Sequence, residues 1–324
     1  MKAIIPVAGA GTRLRPHSLI IPKVLINVGG KPILSHIIDK ALDSGIDDIA
    51  FIIGYRGKQV KEFVESNYSF NHTFIEQKEI LGLAHAIGLA GEFLKNEPVF
   101  IMLGDTVFEA DINAVFSDEY SSIGVKKVED PRRFGTAELD SGGFITRLVE
   151  KPQNPITNLA LVGLYYLKNG KLLHDAINEL IGKDLKTKGE YQITDALQLL
   201  IDNGEKIKTF MLDGWYDCGN PETILSTNQY LLSRDSKKIS VKGSLVREPV
   251  FIADSARIEN SIIGPHTTIA GGAYVCNSIL NNSIIGEGAS VVDITLKDSI
   301  IGSNAYVSGS ISSLNISDYS ELLL

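Results

Sequence analysis

Three short segments near the C-terminus repeat one another: Asn260-Ser261-Ile262-Ile263-Gly264, Asn282-Ser283-Ile284-Ile285-Gly286 and Asp298-Ser299-Ile300-Ile301-Gly302. In each copy an aliphatic residue follows five positions after the glycine, namely Ile269, Val291 and Val307. Aliphatic-Gly turns at such intervals, with small residues between them, suit short parallel strands stacked coil upon coil. An antiparallel sandwich of short strands is the alternative that the pattern leaves open. The register is irregular. Steps of ten residues, from Val275 to Ile285 and from Val291 to Ile301, read as insertions in some coils.

The rest of the chain has a different texture. Up to about residue 235, short apolar runs alternate with helical patterns. Ala3–Val7, Ile49–Ile53, Val99–Leu103 and Leu159–Leu167 read as buried strands. Ile33, Leu34, Ile37, Ile38, Ala41 and Leu42 share one helical face, and Gly45 ends that helix. Residues 82–95 and 191–203 are further helix candidates. The alternation implies an α/β fold around a mainly parallel mixed sheet, with ligands expected beyond the carboxyl ends of the strands. The expected division is 1–238 for this part and 239–324 for the coils.

Composition narrows the function classes. The formal charge of −8 argues against nucleic acid as a general partner, although not against a nucleotide held by a local cation cluster. No apolar run of about eighteen residues exists, so no membrane helix is expected. The chain enters its first strand without a signal peptide, which points to the cytoplasm. Two cysteines, Cys218 and Cys276, carry no metal-ligand spacing.

The opening strand runs into Ala8-Gly9-Ala10-Gly11-Thr12-Arg13-Leu14-Arg15, with Pro22-Lys23 soon after. Glycines let backbone N–H groups approach a phosphate, and the cations neutralise it. The segment is neither a Walker loop, lacking Gly-Lys-Ser/Thr, nor a dinucleotide fingerprint, since Leu14 stands where the third glycine belongs. Taken alone, the glycine pair is equally an ordinary strand-to-loop turn. Asp105 follows the apolar run Val99–Leu103, where a carboxylate could cap a turn or bind a cation.

Gly9-Ala10-Gly11-Thr12-Arg13-Leu14 together with Pro22-Lys23 resembles the signature of the sugar-1-phosphate nucleotidylyltransferases, and the resemblance extends over nearly the entire chain in family order. It implies a Rossmann-like nucleotidyltransferase domain followed by a left-handed β-helix of hexapeptide repeats. The implied reaction joins a nucleotidyl group from an NTP to a sugar 1-phosphate and releases pyrophosphate. By resemblance Ala8, Gly9, Gly11, Thr12 and Arg13 hold the triphosphate, and Arg13 and Lys23 are catalytic cations. Gln77 and Gly82, in the stretch that continues Leu83-Ala84-His85-Ala86, read the base. Asp105 of Leu-Gly-Asp and Asp217 of Trp215-Tyr216-Asp217-Cys218-Gly219 hold Mg²⁺. Gly135, Glu150, Lys151 and Gly163 hold the sugar and its phosphate.

The Gly-Leu-Ala form at 82–84 is similar to the pyrimidine-using branches, so dTTP or UTP is expected, with glucose 1-phosphate as the sugar. Thr106 departs from the asparagine that often follows the metal aspartate in thymidylyltransferases, and Ile5-Pro6-Val7-Ala8-Gly9 is similar to uridylyltransferases. A UTP-specific uridylyltransferase, a guanylyltransferase of the GDP-mannose type and a non-catalytic sensing subunit are the alternatives. Thr194 is read as the cap of the helix that follows it. The tail is expected to serve assembly into a homo-oligomer or stability, and its one histidine, His266, makes acyl transfer there a poor fit.

Overall fold

The computed structural model describes residues 1–234, 238–309 and 314–323. Its contacts divide the chain into two compact units, one of residues 1–9 and 37–215 and the other of residues 10–36 and 216–324.

The first unit is built on a nine-stranded mixed sheet. Its strands are β1 (Lys2–Pro6), β2 (Asp48–Ile53), β3 (Asn71–Glu76), β4 (Val99–Met102), β5 (Ser121–Lys127), β6 (Gly135–Leu139), β7 (Ile145–Glu150), β8 (Leu159–Leu167) and β9 (Ile207–Met211). The order β7-β6-β8-β4-β1-β2-β3 is completed by β5, which pairs with β8 and β9. β4, β1, β2 and β3 run parallel, and β8 joins β4 antiparallel. Ile4, Ile5, Ile49, Phe51, Ile52, Phe100 and Ile101 are fully buried. This matches central parallel strands, whose two faces are both covered by apolar neighbours.

The helices include α1 (Ile33–Asp43), α2 (Gly57–Asn67), α3 (Leu83–Gly88), α4 (Gly170–Gly182), α5 (Ile193–Asp202) and α6 (Pro221–Arg234), of which α1 and α5 answer to the expected helical face at 33–42 and the candidate at 191–203. The sequence pattern predicts a helix over 82–95, but α3 ends at Gly88. A Cβ on Gly88 would lie 2.8 Å from Ile177 Cγ2, and one on Gly91 would lie 3.0 Å from the His174 ring. The chain turns here to pack closely on α4, and only glycine permits that approach. Among the described residues no helix is long and apolar enough to cross a membrane.

The C-terminal part of the second unit is a left-handed β-helix made of three parallel sheets. The first face stacks strands at 245–246, 262–263, 279–281 and 295–297. The second stacks 250–252, 267–269, 284–285, 300–301 and 315–316, and the third stacks 257–259, 274–276, 290–292, 306–308 and 321–323. One buried aliphatic residue per face fills the interior: Ile258, Ile263, Ile269, Val275, Leu280, Ile285, Val291, Leu296, Ile301 and Val307.

One expectation about the coils is corrected here. The ten-residue steps contain no insertion, because Leu280 lies midway between Val275 and Ile285 and Leu296 midway between Val291 and Ile301. A coil is compact instead. Val275 pairs with Val291 and Val291 with Val307, sixteen positions apart in each case. The repeated Ser-Ile-Ile-Gly segments also do not all stack. Ile262–Ile263 pairs with Ile279–Leu280 on the first face, whereas Ile284–Ile285 pairs with Ile300–Ile301 on the second.

Corners make the short coil workable. Asn260, Asn277, Asp293, Asn282 and Asp298 all have positive φ, a region that Asn and Asp tolerate better than other non-glycine residues. Asn260 donates to Asn277, Asn277 to Asp293, and Asn282 to Asp298, each at 2.7–2.8 Å. Buried serines close the inner side. Ser261 Oγ accepts from Ser278 N at 3.0 Å, and Ser278 Oγ accepts from Ile294 N at 3.3 Å.

Candidate active site

In the first unit the parallel strands end along one edge, and four loops leave from it. Ala8 and Gly9 follow β1, Gly54 follows β2, Gln77 follows β3 and Asp105 follows β4. Glycines bring these loops together. A Cβ on Gly54 would stand 2.9 Å from Ala8 Cβ, and one on Gly104 would stand 2.3 Å from Val7 Cγ1 and 2.9 Å from the Pro6 carbonyl. The contact each glycine permits is set by strand order, which neither the unmarked Gly54 nor the Leu103-Gly104-Asp105 motif reveals.

Gln77 is buried, and its Nε2 lies 3.4 Å from the Gly82 carbonyl and 3.4 Å from His85 Nδ1. Gly82 has φ +120 and packs against the Tyr191 backbone, with 2.5 Å between a notional Cβ and the Tyr191 carbonyl oxygen. The Ala84 N–H donates to that same carbonyl at 3.0 Å. The structure therefore joins Gln77, Gly82 and His85 into one cluster that presents an amide able both to donate and to accept.

A second cluster forms around β6, β7 and β8. Gly135 opens β6 opposite Glu150, the last residue of β7. Glu150 Oε2 accepts from Thr194 Oγ1 at 2.8 Å, while Lys151 Nζ lies 3.2 Å from Glu150 Oε1. A Cβ on Gly135 would meet Thr194 Oγ1 at 3.1 Å and Glu150 Oε2 at 3.2 Å. Lys151 has φ +44, its N–H donates to the Phe134 carbonyl, and its own carbonyl accepts from Lys188 Nζ at 2.8 Å. Gly163 has φ +83 where the pairing of β8 with β5 shifts register, and its carbonyl accepts from Leu103 N. That is a bulge position which a Cβ would fill with the Leu103 side chain, 2.4 Å away.

Thr194 lies inside the first turn of α5, whose N-cap is Gln192 without a side-chain capping bond, so the reading of Thr194 as the helix cap is corrected: its hydroxyl donates to Glu150 instead. Burial pushes the neighbouring Asp195 carboxyl up from its ordinary value, and the Glu150 charge adds to the shift.

In the second unit the loop 10–23 folds on itself. Gly11 has φ +60, and a Cβ there would lie 3.0 Å from Lys23 Cβ. The Gly11 carbonyl accepts from Leu14 N at 2.9 Å and from Ser18 Oγ at 2.7 Å. Thr12, Arg13 and Leu14 form a short 3-10 turn, and Lys23 is 8% exposed, an unusual degree of burial for a lysine. Asp217 and Arg13 border the same space over Gly219, where a Cβ would stand 2.7 Å from Asp217 Oδ2 and 3.1 Å from Arg13 Nη2.

The nucleotidyl transferase family profile matches residues 2–234. The chain is 35% identical over 271 residues to the low-salt glycan biosynthesis nucleotidyltransferase Agl11 of Haloferax volcanii, covering 81% of this chain and 72% of that protein. It is 32% identical over 314 residues to a glucose-1-phosphate thymidylyltransferase of Streptomyces antibioticus, covering 88% and 87%. The bifunctional protein GlmU of Methanocaldococcus jannaschii is 37% identical over 265 residues, covering 81% of this chain but only 61% of GlmU. Among solved structures, a glucose-1-phosphate thymidylyltransferase from Bacillus anthracis superposes with a TM-score of 0.62 at 28% identity, covering 74% of this chain and 98% of that one. The chain thus belongs to the nucleotidyl transferase family, among its sugar-1-phosphate nucleotidyltransferases.

Proposed function

We propose that the protein transfers a thymidylyl or uridylyl group from dTTP or UTP to a sugar 1-phosphate, with glucose 1-phosphate the preferred acceptor. A phosphate oxygen of the sugar 1-phosphate attacks the α-phosphorus, the bond to the bridging α–β oxygen breaks, and pyrophosphate carries away the electron pair. The observation that carries this reading is the convergence of Ala8, Gly54, Gln77 and Asp105 on one edge of the parallel sheet. Similarity to thymidylyltransferases over most of their length supports the choice of base and sugar.

Such a transfer asks for alignment and charge neutralisation and needs no nucleophilic side chain. Arg13 binds the outer phosphates of the NTP, which are the leaving group, and Lys23 meets charge building on the α-phosphate. Gln77 and Gly82 take the pyrimidine edge. Glu150 accepts from sugar hydroxyls, oriented by Thr194, while Lys151 meets the sugar phosphate and Gly135 and Gly163 leave room for the sugar. Bound Mg²⁺ would neutralise phosphate oxygens. Asp105 and Asp217 suit it, being hard oxygen donors. No group of three or more His, Cys, Asp or Glu suited to a metal occurs among the described residues. Phosphates and water would therefore supply most of its ligands, as magnesium prefers.

The test is pyrophosphate release with Mg²⁺ and glucose 1-phosphate across dTTP, UTP, GTP, ATP and CTP, then across a panel of sugar 1-phosphates. Turnover confined to dTTP or UTP is expected. Preference for GTP would favour the guanylyltransferase alternative, and silence with every pair would favour a sensing subunit.

A further inference from the structure

The last described turn of the β-helix holds the chain just beyond the Gly9–Arg15 loop. Ser317 Oγ donates to the Pro16 carbonyl at 3.1 Å, and His17 Nε2 is hydrogen-bonded to Asn315 Oδ1. His17 is 3% exposed and Ser317 is 7% exposed, so each contact has one buried partner, although Asn315 itself is exposed. The other end of the loop is fixed locally, since Ser18 Oγ and Leu14 N both donate to the Gly11 carbonyl. Arg13 and Arg15 therefore lie on a short arc bounded by Gly11 on one side and by the grip on Pro16 and His17 on the other.

We infer that Asn315 and Ser317 are positioning residues for nucleotide binding: the final coil fixes Pro16 and His17, and through them the backbone that carries Arg13. The inference rests on the reading of this loop as the triphosphate holder. An arginine contributes fully to binding only when its backbone is already in place, because ordering the loop at the moment of binding costs free energy. The β-helix thus acts on catalysis through the loop, beyond any role in assembly or stability.

The experiment uses the full chain with Ser317→Ala and Asn315→Ala, singly and combined, measuring kcat, both KM values and thermal unfolding. A KM for the nucleotide raised roughly three- to tenfold, with the KM for the sugar 1-phosphate within about twofold, is the expected split. Ser317→Thr keeps the hydroxyl and restores the nucleotide KM. An unchanged nucleotide KM in the folded variants, or an equal rise in both KM values, overturns the inference. Should the double variant not fold, Ser317→Ala alone removes a single hydrogen bond and reads the same split. Arg13→Ala separates the two layers of the argument. Normal turnover in Arg13→Ala removes the reading of the loop and this inference with it. A collapse in Arg13→Ala beside unaltered tail variants removes the inference alone.

Discussion

Lys23 shows how a single residue can be legible in type yet not in circumstance. Its place after Pro22 marks it as a phosphate cation by resemblance, but its burial under Gly11 follows from a turn with φ +60 that no composition reveals. Glu150, Lys151 and Gly135 were likewise legible as a group. The hydroxyl of Thr194 that orients Glu150 was not, because a threonine beside a helix start reads as its cap, a place that Gln192 takes instead. Gly54 carries no motif at all, and Gly104 is marked only as the middle of Leu103-Gly104-Asp105. At this scale the test is substitution. Arg13→Ala, Lys23→Ala, Asp105→Asn and Asp217→Asn should each lower kcat by about 10²–10³ with unfolding transitions retained, as loss of one preorganised charge contact does. Near-native turnover in Asp105→Asn would remove it from the metal-binding role. Thr194→Val should raise the KM for the sugar 1-phosphate more than that for the nucleotide, since Glu150 loses its donor.

Elements were read well where periodicity is local and less well where partners decide. The four buried strands foreseen from their apolar runs appear within a residue or two of their expected limits. The helix over 82–95 shortened because Gly88 and Gly91 fit against Ile177 and His174 of α4, which are distant in sequence. In the coils a period read along the chain mistook a skipped face for an insertion, since Leu280 and Leu296 are not flanked by the repeated Ser-Ile-Ile-Gly.

Helix α6 offers the sharpest test of how elements are joined. Asn228 is fully buried, with its Oδ1 accepting from Gly29 N at 2.8 Å and Thr268 Oγ1 at 2.6 Å, and its Nδ2 donating to the His266 carbonyl at 3.1 Å. Asn228→Ala strands these partners away from water and should destabilise the fold by about 2–4 kcal/mol, because buried groups left unpaired carry their full desolvation cost. Denaturant unfolding measures it, and a loss below about 0.5 kcal/mol would show that the junction relaxes.

At the scale of the whole molecule, residues 10–36 group with the C-terminal part of the chain and not with the sheet that precedes and follows them. No sequence pattern announces this, because it rests on pairs such as His17 and Asn315, separated by 298 positions. The same pair gives stability a pH dependence. Burial holds His17 below its ordinary value of 6.5, opposed by the bond to Asn315 and the charge of Asp318. Above that value both folded and unfolded chains carry neutral His17, and its contribution is complete. As pH falls below it the unfolded chain takes up a proton first, and stability is lost until the folded value is passed.

Asp318 works with the opposite sign, since burial pushes its carboxyl up and favours the protonated form in the folded state. Chemical unfolding between pH 7 and pH 5 should therefore show a loss in the wild type that His17→Gln lacks. Asp318→Asn should deepen the loss by removing the charge that supports a protonated His17. Identical pH profiles in all three proteins would contradict the assignment.

The stacked coils set how this chain can change in length. Each coil adds one strand spacing, about 4.8 Å, to every face, so the solenoid is a ruler graduated in coils. Coils of seventeen, sixteen and fifteen residues stand in one stack with their aliphatic positions aligned, so a corner absorbs a single residue, and a whole sixteen-residue coil can be added with every aliphatic position preserved. Such an addition between Ser283 and Ser299 would still carry Asn315 and Ser317 one graduation past Pro16 and His17. The number of coils is therefore set by the reach to the N-terminal loop, and the tail can lengthen freely only beyond the point where it touches that loop.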